Sequence, residues 1–219
     1  MIKSNYIIYD TETGGLYPKK NPITQFACVV LDYHSLKEID RWETFIRPYN
    51  DLVIEKEAIE HTMVSMSDIN RGMKSKDFVN TAVEFFTSHF AKGKNKSFCR
   101  LVPVGHNVTF DNGMLEYIFN FEKKNLWDFF YPNFIDTLPL AKLTWGIDGT
   151  EKLKLGMCCE RARINLTDAH GAMNDVEATA ELFRFFMKKL RAKKGGVLDD
   201  DEEIRARGQK FFEFKCGVK

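Results

Sequence analysis

Residues 6–16 read Tyr6-Ile7-Ile8-Tyr9-Asp10-Thr11-Glu12-Thr13-Gly14-Gly15-Leu16, an apolar run that ends in two carboxylates two positions apart. Side chains alternate along an extended strand, so Asp10 and Glu12 point to the same side of it. Like charges held a few ångströms apart in a low-dielectric cleft repel by several kcal/mol unless a cation lies between them. Metal binding is therefore the first expectation for this segment. Gly14 and Gly15, without side chains, allow a bulky ligand to approach the backbone beside the acids.

Working outward, the first strand-like run covers residues 5–10, and residues 23–31 and 42–46 are also strand-like, with loops at Pro18, Pro22 and Pro48. Short connections between the three runs predict an antiparallel meander. Helical patterns follow over residues 55–61 and 65–71, and Phe78, Ala82, Phe85, Phe86 and Phe90 recur at helical spacing. A basic loop at 92–96 precedes a strand at 101–105 and a helix entered at Asp111, where Asp111 would be the N-cap and Phe110 and Leu115 a hydrophobic staple. A short strand at 133–136 and helices over 137–145, 152–161 and 171–190 complete the pattern. A meander followed by alternating strands and helices predicts an α/β fold, a mixed sheet covered by helices with its site at the carboxyl ends of the strands.

The chain has 219 residues, 44% of them hydrophobic, enough for one sizeable core. The expected boundary lies near Leu190, with one domain at 1–190 and a charged tail at 191–219 that begins around Lys193-Lys194-Gly195-Gly196 and the acidic run 199–203. A formal net charge of +1 excludes a global field that would draw the protein onto a polyanion, so any such ligand must be held locally. Five cysteines without a CxxC pair suggest neither a zinc knuckle nor a disulfide framework. No apolar stretch reaches the roughly 18 residues that span a bilayer, and no leader is apparent, so a cytoplasmic protein is expected.

Asp175 falls on the stripe formed by Ala172, Val176, Thr179, Ala180, Phe183, Phe186, Met187 and Leu190. An ionised carboxylate on a buried stripe requires a partner from outside its helix, a metal or a hydrogen-bond donor. His170 lies five residues earlier, where neighbouring carboxylates would raise its pKa and let it take a proton from water.

Asp10, Glu12, Asp111, His170 and Asp175, in that order on an α/β pattern, resemble the DEDDh group of 3′ to 5′ exonucleases in the ribonuclease H-like superfamily. The likeness is to the proofreading epsilon-subunit exonucleases of bacterial replicative DNA polymerases. It rests on three ordered motifs: Asp10-Thr11-Glu12-Thr13-Gly14-Gly15-Leu16, His106-Asn107-Val108-Thr109-Phe110-Asp111 and Ala169-His170-Gly171-Ala172-Met173-Asn174-Asp175. It runs on through Asp136-Thr137-Leu138, Lys154-Leu155 and residues 178–183, and so covers about 5–190.

The resemblance implies a five-stranded ribonuclease H-like sheet and two divalent ions, Mg²⁺ or Mn²⁺, with Asp10 bridging, Glu12 and Asp175 on one ion and Asp111 on the other. Oxygen-only ligands suit such hard cations, and a pair about 3.5–4 Å apart can stabilise both the attacking and the leaving oxygen. His170 is then the general base. Thr13, Gly14 and Leu16 would hold the terminal nucleotide, with Leu16 alternatively a core residue. His61 and Asn107 match positions near substrate, although Thr62-Met63 departs from the family's usual continuation after His61.

The activity expected is release of nucleoside 5′-monophosphates from single-stranded 3′ ends of DNA, in proofreading, repair or degradation. The alternatives are an RNA-trimming exoribonuclease and a non-catalytic nucleic-acid scaffold. Gln209, Phe211, Phe212 and Phe214 in the tail loosely resemble a docking peptide for a polymerase or sliding clamp.

Overall fold

The computed structural model describes residues 4–62, 64–92, 98–145, 153–165 and 171–194. By contact the chain falls into two units, Met1–Phe183 and Arg184–Lys219, and the sheet belongs to the first. Five strands form that sheet: β1 (Tyr6–Thr13), β2 (Ile23–Leu31), β3 (Glu38–Phe45), β6 (Val102–Gly105) and β7 (Ile135–Asp136). Their order is β3-β2-β1-β6-β7. The pairs β1·β2 and β2·β3 are antiparallel, whereas β1·β6 and β6·β7 are parallel. The expected meander followed by parallel strands is therefore present, and the fold is the mixed, helix-flanked sheet of the ribonuclease H-like class.

All nine residues of β2 are buried, as in a strand covered on both faces. One cover is α3 (Ser75–Ser88), which buries Phe78, Val79, Ala82 and Phe86 at helical spacing. Phe26 of β2 sits 5.4 Å from the Phe78 ring, and Phe86 sits 4.8 Å from that of Phe130. The helix α4 (Thr109–Phe121) adds Met114, Leu115, Ile118 and Phe119 to the same core. Two short helices, α1 (Lys56–His61) and α2 (Met66–Arg71), lead into α3, and Ser65 caps α2 by accepting from Asp68 N at 3.1 Å.

Beyond β7 come α5 (Thr137–Trp145), α6 (Leu155–Ala162) and α7 (Ala172–Lys194). The α7 stripe is buried at Ala172, Val176, Thr179, Ala180 and Phe183, but Asp175 is half-buried and Leu190 is 48% exposed.

Several boundaries differ from expectation for identifiable reasons. The first strand continues to Thr13, so both acids lie within it. The third begins at Glu38, four residues early, because residues 38–41 are exposed on the sheet edge and show no apolar alternation. A hairpin of β4 (Ala91–Lys92) and β5 (Phe98–Cys99) flanks the basic loop, which gave no strand signal. Lys94 and Lys96 lie outside the described residues; Arg100 donates to Trp127 O at 2.7 Å, a structural link. Most consequentially, Asp111 is not an N-cap. The cap of α4 is Val108, and Asp111 stands in the first turn, facing β1.

Candidate active site

Strand β1 carries Asp10 opposite Ala27 and Glu12 opposite Gln25. Helix α7 brings Asp175 to the same place, and one carboxylate oxygen from each of Asp10, Glu12 and Asp175 lies within 4.8 Å of the others. Three anions converge where the sequence places them on two elements about 160 residues apart, and oxygen donors so arranged suit a hard divalent cation.

Asp111 reaches the same strand from the first turn of α4. Its Oδ1 accepts from Thr11 N at 3.0 Å and from Thr11 Oγ1 at 2.7 Å. The neighbouring turn is tied to the sheet as well, since the Tyr9 hydroxyl donates to Asn112 Oδ1. The strand end is thus clamped between α4 and α7, with an acid from each.

The electrostatics express the crowding. Burial holds the Asp10 carboxyl well above the usual range, and the charges of Asp111, Glu12 and Asp175 push it further. Glu12 is pushed up to about 7, by burial first and then by Asp175 and Asp111. Asp111 is pushed up to about 7 by burial, against the two Thr11 hydrogen bonds that favour its ionised form. Buried acids that resist ionisation together are what a bound cation would reverse.

The loop after β1 is rigidly built. Thr13 Oγ1 donates to Gly15 O at 2.8 Å. Gly14 pairs with both flanking segments, donating to Pro22 O at 2.8 Å and accepting from Glu55 N at 2.8 Å. Gly15 has φ +154°, and a Cβ there would lie 2.5 Å from the Asn21 carboxamide. Asn21 itself is buried; it donates to Val53 O at 3.0 Å and Glu55 Oε1 at 3.0 Å, and its Oδ1 accepts from Tyr17 N at 3.0 Å. This pin was missed in the sequence, where an Asn before Pro22 reads only as a turn. Leu16, 70% exposed, is not a core residue.

Asn107 is exposed and takes φ +63°, and its N–H donates to Asp136 Oδ1 at 2.9 Å, which also accepts from Leu138 N at 2.9 Å. His61 is exposed at the end of α1. His170 and the tail residues Gln209, Phe211, Phe212 and Phe214 lie outside the described residues.

His106 was quoted only as part of a motif, but it has a definite place. Burial lowers its pKa, with the Leu153 carbonyl and the charges of Asp136 and Asp175 opposing. The ring donates from Nε2 to Leu153 O at 3.0 Å, and its Nδ1 lies 2.9 Å from Thr137 Oγ1, a hydroxyl that also reaches Gly105 O at 3.1 Å. With both nitrogens engaged, His106 ties β6 to the start of α5 and to the segment before α6, and is unsuited to accept a proton from water.

A family model described as an exonuclease, RNase T, matches residues 7–183. The chain belongs to the RNase T exonuclease family. Among curated relatives, the DNA polymerase III PolC-type of Clostridium perfringens is 27% identical over 189 residues, covering 85% of this chain and 11% of that protein. The PolC-type enzyme of Streptococcus agalactiae is 29% identical over 190 residues, covering 86% and 11%. The chain therefore spans about one-ninth of the length of these relatives.

Solved structures agree on the fold. The zinc-bound form of an Escherichia coli exonuclease I complex with single-stranded DNA superposes with TM-score 0.69 at 20% identity, covering 85% of this chain and 42% of that one. Exonuclease I from Methylocaldum szegediense gives TM-score 0.66 at 23% identity, covering 84% and 40%. Asp10, Glu12, Asp111 and Asp175 therefore stand on a fold shared with solved exonucleases, in a chain of the RNase T exonuclease family. Among the described residues, no helix is long and apolar enough to cross a membrane.

Proposed function

We propose that the protein removes nucleoside 5′-monophosphates from the 3′ end of a single strand of DNA, using divalent cations held by Asp10, Glu12, Asp175 and Asp111. The observation that carries this is the convergence of three carboxylate oxygens from β1 and α7 within 4.8 Å. Mg²⁺ or Mn²⁺, two ions per site, would supply Lewis-acid stabilisation of the phosphate and a more acidic water. The protein's own part is positional. The extended β1 and its bond to Asp111 hold the acids before any ligand arrives, so little reorganisation is left for the reaction.

His170, two positions before the start of the helix that bears Asp175, takes the proton from the attacking water in this reading. Thr13, Gly14 and Leu16 receive the terminal nucleotide on the pinned loop, and the exposed Leu16 offers its side chain to the base. In this reading His61 and Asn107 also contact the substrate. The exonuclease I complex with single-stranded DNA supports the single-strand substrate, and the PolC-type relatives support a polymerase as partner, docked through Gln209, Phe211, Phe212 and Phe214 in the tail. Service in proofreading is part of the same reading, supported by the kinship to a polymerase.

The test is digestion of matched 5′-labelled deoxy- and ribo-oligonucleotides with product analysis. Stepwise shortening from the 3′ end, 5′-monophosphate products and faster cleavage of the deoxy strand are expected. Preference for the ribo strand would move the substrate to RNA, and loss of the 5′ label as a mononucleotide would reverse the polarity.

A further inference from the structure

On the face of the sheet that carries Asp10 and Glu12, the acids have polar neighbours in the next two strands. The register sets Gln25 of β2 directly opposite Glu12, and Ala27 opposite Asp10. On β3, Phe45 stands opposite Gln25 and Glu43 opposite Ala27. Residues directly opposed in an antiparallel pair share a face, with Cβ atoms about 4.5–5.5 Å apart. Gln25 is therefore the side chain beside Glu12. It is also the last before the pairing shifts: Thr13 pairs with Ile23, and Thr24 is left over as a bulge that pins the register here. Helix α7 crosses the same face, where Arg41, opposite Val29, donates to Glu177 Oε1 at 2.6 Å.

Gln25 is only 5% exposed, and its two amide atoms are treated differently. Nε2 donates to Glu43 Oε1 at 2.7 Å. Oε1 is buried and, among the described residues, receives no hydrogen bond. Glu43 fixes which way the amide lies, because a flipped amide would set two acceptors against each other. With β2 between β3 and β1, the oxygen on the side away from Glu43 is on the side of Glu12. A buried acceptor without a donor costs stability, so this one calls for a donor from outside the chain.

We propose that Gln25 is a positioning residue for the cation site, its Oε1 accepting a hydrogen bond from a water carried by the ion beside Glu12, and that it thereby favours a hydrated Mg²⁺. The proposal rests on the reading of Asp10, Glu12 and Asp175, whose oxygens lie within 4.8 Å of one another, as cation ligands. An ionised carboxylate only accepts, so none of these acids can satisfy Gln25. Mg²⁺ dehydrates reluctantly and keeps several waters, each a donor, whereas Mn²⁺ gives up water more readily. Partners that orient the groups around an ion set its affinity, and their loss typically weakens binding 10- to 100-fold. Glu43 holds the amide from the far side, so an exposed acid two strands away steadies the acceptor at the site.

The test needs no substrate. Gln25→Met keeps the length of the side chain and removes both amide atoms, whereas Gln25→Glu keeps the shape and an acceptor oxygen. EDTA-stripped wild type and both variants are titrated calorimetrically with Mg²⁺ and with Mn²⁺, and their metal-free melting temperatures are compared. Gln25→Met is expected to melt, metal-free, at the wild-type temperature or above, since it buries no unpaired oxygen. It should bind Mg²⁺ about tenfold or more weakly and lose less affinity for Mn²⁺. Gln25→Glu should hold Mg²⁺ within about threefold of wild type or more tightly, and a tenfold loss there overturns the proposal. Affinity within about twofold of wild type in Gln25→Met also overturns it, and leaves the cation site standing. So does equal weakening for both ions with a lower metal-free melting temperature, the mark of a side chain that only holds the fold. A wild type that binds neither ion overturns the reading of the acid cluster, and the role of Gln25 with it.

Discussion

Thr11 gives both its amide, at 3.0 Å, and its hydroxyl, at 2.7 Å, to the same oxygen of Asp111. The strand residue between two site acids thereby orients a third. Hydrogen bonds to a charged group contribute about 1.5–3 kcal/mol, and these favour the ionised carboxylate. Replacement of Thr11 by Val preserves shape and removes the hydroxyl. The expected result is a loss of about 1–3 kcal/mol in urea unfolding near pH 8. Asp111 would also require higher pH to ionise, moving the acid limb of the pH-rate profile upward. An unchanged profile would show that Thr11 does not orient Asp111.

The raised carboxyls make the metal-free protein sensitive to pH in a definite direction. In the unfolded chain, carboxyls lose their protons near pH 4, whereas folded Glu12 and Asp111 hold theirs to about 7. The folded state thus binds more protons between about pH 4 and 7, and stability falls as pH rises through that window before levelling. With EDTA, the melting temperature of the wild type relative to Asp10→Asn should fall from pH 5 to pH 8, and added Mg²⁺ should offset the fall. A difference independent of pH would contradict the crowding of these acids.

Asn21 bonds to Val53, Glu55 and Tyr17, and lies where a Cβ on Gly15 would intrude. Asn21→Ala strands buried partners and should cost about 1–3 kcal/mol, while displacement of the loop lowers kcat/KM by about tenfold or more. Gly15→Ala meets the same side chain and should act in the same direction. Full activity in both variants would remove the loop from substrate positioning.

Much of this was legible in the chain because alternation is a two-residue property: Asp10 and Glu12 had to share a face once residues 6–12 formed a strand. The helical stripe likewise placed Asp175. What was hidden depends on tertiary contacts. Asp111 resembled a cap because it follows a strand and precedes an apolar run, yet α4 starts at Thr109, after the left-handed Asn107 and its bond to Asp136. The roles of Asn21 and His106 rest on partners 32 and 47 residues away, for which no local pattern exists. The edge strand β3 lacked alternation because solvent, not core, covers residues 38–41.

The central claim is that the carboxylates of β1 and α7 hold cations that cut a 3′ end. The most direct measurement is cleavage of a 5′-labelled single strand by EDTA-stripped protein as Mg²⁺ or Mn²⁺ is titrated back, in wild type and Asp10→Asn. Saturable, metal-dependent shortening from the 3′ end by the wild type, absent from a folded Asp10→Asn variant, is the predicted result. Cleavage that persists in EDTA, or that survives in Asp10→Asn at wild-type rate, would contradict it.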